Sequence, residues 1–154
     1  MEKLCRGDSQ TKKLAGQILT KLPQPEEGAL ILGLVGDLGA GKTTFVQCVG
    51  EALSIKEPIL SPTFVILKTF PLTSAGIKKT GFKNLIHLDC YRLDNPSELV
   101  KIGWPEIVSN KDNLIIIEWP EKVADLLTPD YYRIVFKAID RQTRKISIPW
   151  LPEK

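Results

Sequence analysis

Eight consecutive residues, Gly36-Asp37-Leu38-Gly39-Ala40-Gly41-Lys42-Thr43, match G-x-x-x-x-G-K-[ST] at every position and constrain the fold more than any other stretch. The pattern reads as a phosphate-binding loop. Glycines let the backbone curl so that several N–H groups face one anion. Lys42 would reach β- and γ-phosphate oxygens, and the Thr43 hydroxyl would hold Mg2+. Such a loop needs a strand before it and a helix after it. The short apolar run Leu30-Ile31-Leu32-Gly33-Leu34-Val35 suits a buried parallel strand. Phe45, Val46, Val49, Ala52 and Leu53 then recur at helical spacing, so the helix opens with its positive end at the anion.

The remaining segments predict an α/β fold of the P-loop NTPase type. It has three layers around a mixed, mostly parallel sheet and ends in an antiparallel hairpin. A helix is expected from about Ser9 to Leu22, with N-cap residues offered by Asp8-Ser9-Gln10-Thr11 and a stop at Pro23. Phe64-Val65-Ile66-Leu67 and Leu85 to Tyr91 read as strands. Between them, Pro71 to Lys83 is polar and reads as a flexible surface excursion. Asp94-Asn95-Pro96 opens a short helix through Ile102, and Trp104 to Val108 adds a further helical turn. Leu114-Ile115-Ile116-Ile117 is the most β-branched run and predicts a central strand. Pro120 opens a helix to about Leu127. Tyr131 to Ile139 and Lys145 to Ile148 make the closing hairpin across Asp140-Arg141-Gln142-Thr143.

With 154 residues, the chain is expected to be one domain, residues 1–154. The net charge of +3, without a basic stripe, gives no independent argument for direct nucleic-acid binding. No apolar run approaches membrane-span length and no signal-peptide core is visible, so a cytoplasmic location is expected. Cys5, Cys48 and Cys90 show neither zinc spacing nor a redox pair and read as buried thiols.

Turnover of a bound nucleotide needs more than a phosphate loop. Glu118 directly follows the Leu114–Ile117 strand, where ligands of open α/β sheets bind, and can hold Mg2+; the bland alternative is an ordinary strand-end charge. In His87-Leu88-Asp89-Cys90-Tyr91-Arg92, alternation puts His87, Asp89 and Tyr91 on one face. Asp89 there suits a metal or a water-positioning role, or simply a solvated strand face; His87 alone reads as structural. Thr63, beside Pro62, could report the γ-phosphate as switch loops do, or satisfy its own turn. Trp119 could pack against a nucleotide or partner, or fill a gap; Trp104 and Trp150 read as packing residues.

Taken in order, the phosphate loop with Thr44-Phe45, Ser61-Pro62-Thr63-Phe64, His87-Leu88-Asp89-Cys90-Tyr91-Arg92-Leu93, Glu98-Leu99 with Gly103, and Glu118-Trp119-Pro120-Glu121 resemble the TsaE family. That family comprises small ATPases of bacterial tRNA threonylcarbamoyladenosine synthesis, and the likeness runs over most of the chain. The resemblance implies an ATPase with ATP and Mg2+ as its ligands and TsaB and TsaD as its partners. In that assembly TsaD transfers the threonylcarbamoyl group to adenosine 37 of tRNAs reading codons that begin with A, and tRNA reaches the ATPase only through the complex. It implies phosphate contacts from Lys42 and the amides of Asp37, Leu38, Gly39, Ala40, Gly41, Thr43 and Thr44. Metal contacts would come from Thr43 and Glu118. Lys42, Thr63, Asp89 and Glu118 are the candidate catalytic residues. Asp8 and Thr11 resemble the family's segment near the nucleotide base, and Arg141 its C-terminal Gly-Arg turn. Asp140 stands where the family usually has Gly, Val65 replaces a usual Thr, and Gly103-Trp104-Pro105-Glu106 varies a Gly-Leu-x-Glu stretch. The isolated chain is expected to be a monomer. A small-molecule kinase on the same loop would need a lid, and no long Arg-rich stretch supplies one. A nucleotide-dependent binding module, with incidental hydrolysis, is the third reading.

Overall fold

The computed structural model describes residues 1–61, 66–128 and 131–152. Thr63, and Phe64 and Val65 of one expected strand, lie outside the described residues. One sheet of seven strands carries the architecture. Its strands are β1 (Glu2–Arg6), β2 (Leu30–Val35), β3 (Leu67–Pro71), β4 (Asn84–Asp89), β5 (Asn113–Glu118), β6 (Tyr132–Ala138) and β7 (Thr143–Ser147). In space they run β1-β7-β6-β2-β5-β4-β3. Strands β6, β2, β5 and β4 pair in parallel, as the expected fold class requires. Strands β3 and β7 run the other way, β7 as the second arm of the closing hairpin.

Alternation along the central strands divides the core between the two faces. Leu32, Leu34, Leu114, Ile116 and Ile134 face α1 (Gly7–Leu19) and α2 (Lys42–Ala52), meeting Leu14, Ile18, Phe45 and Val49. Ile31, Ile86, Leu88, Ile115 and Ile117 face the opposite layer. That layer holds α4 (Ser97–Lys101), α5 (Trp104–Ser109) and a 3-10 helix over Pro120–Leu126, through Leu99, Trp104 and Val123. The same alternation decides where the polar ends of β4 and β5 point. Asp89 and Glu118 are register partners at the carboxyl ends of these strands, and Glu118 shares the face of Leu114 and Ile116. Both carboxylates are thereby delivered toward the start of α2.

Three expectations need correction. The segment before Asp8 was not expected to form an element, yet Glu2–Arg6 is a strand on the edge of β7. Three of its five residues are charged and only Cys5 is buried, so its conformation comes from a ladder to residues some 140 positions away rather than from its own pattern. Helix α1 accordingly begins at Gly7, whose φ of +72° turns the chain out of β1, and it ends at Leu19, short of Pro23. The Pro71–Lys83 excursion is not a bare loop. It contains α3 (Ser74–Thr80), capped at its start by the Thr73 hydroxyl and closed by Gly81 at φ +82°. Leu72, Thr80 and Phe82 are buried beneath it, and Lys79 Nζ donates to the Ala52 carbonyl at the end of α2. A smaller difference concerns β3, which runs from Leu67 through Pro71 where the sequence suggested a strand ending at Leu67.

Candidate functional site

The glycine-rich loop leaves the carboxyl end of β2 and returns directly into α2. Three glycines adopt positive φ: Gly36 at +152°, Gly39 at +76° and Gly41 at +100°. At Gly36 the requirement is also steric, because a Cβ would lie 2.5 Å from the main-chain oxygen of Phe136 on β6. Gly41 is the N-cap of α2, and no side chain caps that end. The first-turn N–H groups therefore face the loop's concavity, where an anion satisfies them best.

Lys42 is folded back into this loop. Only 4% exposed, it donates from Nζ to the carbonyls of Gly36 and Asp37, the latter at 3.0 Å. Its ammonium lies 3.9 Å from the Trp119 ring centroid, and the Trp119 ring packs on Tyr91 with centroids 5.0 Å apart. Burial pushes the Lys42 pKa below the ordinary lysine value, while the carboxylates of Glu118, Glu121, Asp89 and Asp37 pull the other way. A cation held at a cost in desolvation among carbonyl dipoles gains on meeting a phosphate.

Thr43, one residue on, sends its hydroxyl to the Glu118 carboxylate, with both oxygens at 2.9 Å. Glu118 is 2% exposed, and its Oε1 also meets His87 Nε2 at 2.9 Å. Asp89 is 6% exposed; its Oδ2 accepts from the Ser61 hydroxyl at 2.7 Å and its Oδ1 from the Tyr91 amide at 3.0 Å. A hydroxyl and a carboxylate in contact suit a hard cation, which takes oxygen ligands. Among the described residues no cluster of three or more His, Cys, Asp or Glu could hold a metal unaided. That donor set fits Mg2+ completed by water and phosphate, and does not fit a protein-only metal cage.

Two cavities meet at this loop. The first, of about 490 Å³, is lined by Leu38, Lys42, Thr43, Ser61, Asp89 and Glu118 among others. The second, of about 390 Å³, lies between the start of α1 and the β6–β7 turn, and its lining includes Asp8, Thr11 and Arg141. Gly41, Thr44 and Arg144 line both. Asp8 and Thr11 thus share one cavity beside the loop with Arg141, which lies more than a hundred positions further along the chain. Asp37 and Ala40 hold the loop's own turn through an Ala40 N–H bond to the Asp37 carbonyl at 3.1 Å. Leu38 is 74% exposed at the tip, and Gly39 follows it in the open.

Sequence reading passed over two residues here. Arg144 crosses Gly41, its Nε 3.5 Å from where a Cβ there would stand, and its Nη1 donates to the carbonyls of Asp140 at 2.7 Å and Thr143 at 3.1 Å. Ser61 was part of a recognisable loop but was not singled out, and its hydroxyl holds Asp89. Asp140 closes the β6–β7 hairpin with its own side chain. Its Oδ1 accepts the Gln142 and Thr143 amides, both at 2.7 Å, and these bonds hold its carboxyl below the usual carboxylate range. The three cysteines are free and buried, as expected.

Comparison with known proteins gives a family and a fold. The family model described as threonylcarbamoyl adenosine biosynthesis protein TsaE matches residues 5–146. A relative from Rickettsia felis named tRNA threonylcarbamoyladenosine biosynthesis protein TsaE is 35% identical, over 94% of this chain and 77% of its own. A Streptomyces coelicolor relative of the same name is 34% identical over 90% of both chains, and one from Bacillus subtilis is 33% identical over 76% of this chain and 67% of its own. The crystal structure of Bacillus subtilis YdiB superposes with a TM-score of 0.70 at 24% identity, covering 95% of this chain and 82% of that one, which is a likeness of fold. The seven-stranded sheet and the match from Cys5 to Ile146 lead to one assignment: the chain belongs to the TsaE family.

Proposed function

We propose that this protein binds Mg-ATP at the Gly36–Thr43 loop and hydrolyses it. Hydrolysis supports a TsaB–TsaD-type complex in forming N6-threonylcarbamoyladenosine at position 37 of tRNAs that read codons beginning with A; the ATPase does not transfer the threonylcarbamoyl group itself. The observation that carries the reading is the Thr43 hydroxyl set on the Glu118 carboxylate immediately beside the buried Lys42 ammonium. The names of the family and its relatives support the pathway.

In this reading each group has a separate task. The N–H groups of the loop and the first turn of α2 take the β-phosphate, and Lys42 exchanges the Gly36 and Asp37 carbonyls for phosphate oxygens. Thr43 and Glu118 would hold Mg2+, which would neutralise charge on the β- and γ-phosphate oxygens. Asp89, fixed by Ser61 and the Tyr91 amide, orients the attacking water. Asp8, Thr11 and Arg141 receive the nucleoside end in the second cavity.

The test is Glu118→Ala. It should retain nucleotide binding through the loop and Lys42, while losing hydrolysis and modification of tRNA in a system reconstituted with the partner proteins. Normal modification by a variant that no longer hydrolyses ATP would replace this reading with a nucleotide-dependent binding module.

A further inference from the structure

His87 is the chain's one histidine. It sits in β4 with no exposed surface, paired in register with Ile116 of β5. Its Nε2 lies 2.9 Å from Glu118 Oε1, the oxygen that also accepts the Thr43 hydroxyl. Its Nδ1 is the buried side-chain polar atom that lacks any hydrogen-bond partner among the described residues. As a piece of core packing this is a poor arrangement. A buried polar atom without a partner costs stability, and leucine or phenylalanine would fill the space without one. What histidine supplies and an apolar residue cannot is the Nε2–H that reaches Glu118. The carboxylate oxygen accepts, so Nε2 carries a proton toward it.

We propose that His87 is a positioning residue: through Nε2–H it fixes the Glu118 carboxylate against Thr43 and so sets the affinity of the site for a divalent cation. This rests on the reading of Thr43 and Glu118 as metal-holding groups. The physics is that of an outer partner orienting a metal ligand. A carboxylate at a strand end turns about its own side-chain bonds; with one oxygen tied to a buried ring, it meets the cation in one orientation. Loss of such a partner weakens metal binding by roughly 10- to 100-fold.

Because the chain contains one histidine, an untagged protein labelled with ¹⁵N-histidine gives a single imidazole spin system. The expected spectrum shows Nε2 protonated, with the Nε2–H resonance moving when Mg2+ is added to the ADP-bound protein. A ring without a proton on Nε2, or one indifferent to Mg2+, overturns the proposal. Two variants give the complementary measurement. His87→Phe keeps a flat ring and removes the donor; His87→Gln returns an N–H at about the same reach. The Mg2+ concentration that half-maximally tightens ADP binding should rise about tenfold or more in His87→Phe. ADP affinity without Mg2+ should stay within about twofold, and His87→Gln should recover most of the loss. A folded His87→Phe with an unchanged Mg2+ requirement contradicts the proposal, as does an equal deficit in both variants. Should unsubstituted protein bind no nucleotide with or without Mg2+, the reading of the whole site fails instead.

Discussion

Gly36→Ala tests the loop's geometry with little change in chemistry. Gly36 has φ +152°, and a Cβ there would stand 2.5 Å from the Phe136 carbonyl oxygen, 3.2 Å from the Phe136 Cβ and 3.3 Å from the Ala40 Cβ. The nearest atom belongs to the backbone of β6, so no side-chain rotation relieves the clash; either β6 or the loop must move. Overpacking of this kind costs about 1–3 kcal/mol, and holding alanine at positive φ adds about 1–2 kcal/mol. The sum is about 2–5 kcal/mol, a substantial part of the roughly 5–15 kcal/mol available to a folded domain. At about 2–4 °C per kcal/mol for a chain of this size, Tm should fall by about 4–20 °C. Gly39→Ala is the control within the same loop. Its φ is +76° but nothing lies within 4 Å of the added methyl, so only the conformational cost of about 1–2 kcal/mol applies. Thermal unfolding followed by circular dichroism, paired with a nucleotide titration, reads both variants. A Gly36→Ala protein as stable as Gly39→Ala would refute the steric argument and the loop path it rests on.

Two further outcomes follow from the site and the core. Arg144→Ala uncovers Gly41 and removes a cation lining both cavities, so nucleotide affinity should drop by about tenfold or more, the scale of one charged hydrogen bond; unchanged affinity by calorimetry would remove Arg144 from the site. Burial, aided by nearby carboxylates, pushes the Cys48 thiol up to about 11 and the Cys90 thiol up to about 12. The unfolded chain loses these protons near pH 9 and the folded chain keeps them, so above that pH the unfolded state binds fewer protons and stability must fall. Tm should therefore decline from pH 9 to pH 11, less steeply in Cys90→Val; an equal slope in that variant would assign the decline to other groups.

The Gly36–Thr43 turn was legible in the sequence because it is local: eight consecutive residues contain its glycines, the lysine and the hydroxyl. The position of Glu118 was legible for a related reason, since a β-branched run marks a central strand and Glu118 falls at its carboxyl end. The link from His87 to Glu118 was not, because it exists only once β4 and β5 pair in parallel with Asp89 opposite Glu118. Arg144 and β1 depend on still longer returns of the chain, β1 on pairing with β7 and Arg144 on the hairpin passing over Gly41. Helix α3 was hidden by its polar composition; a threonine cap, a closing glycine and a few buried contacts specify it. Nonlocal pairing thus explains most of what a linear reading missed.

The most direct measurement is ATP turnover by the purified protein, alone and with a TsaB–TsaD pair and tRNA. Weak turnover alone, stimulated by the pair and abolished in Lys42→Ala, is the predicted result. Indifference to the pair, with phosphate passing to a small acceptor in place of water, would contradict the account and identify a kinase built on the same loop.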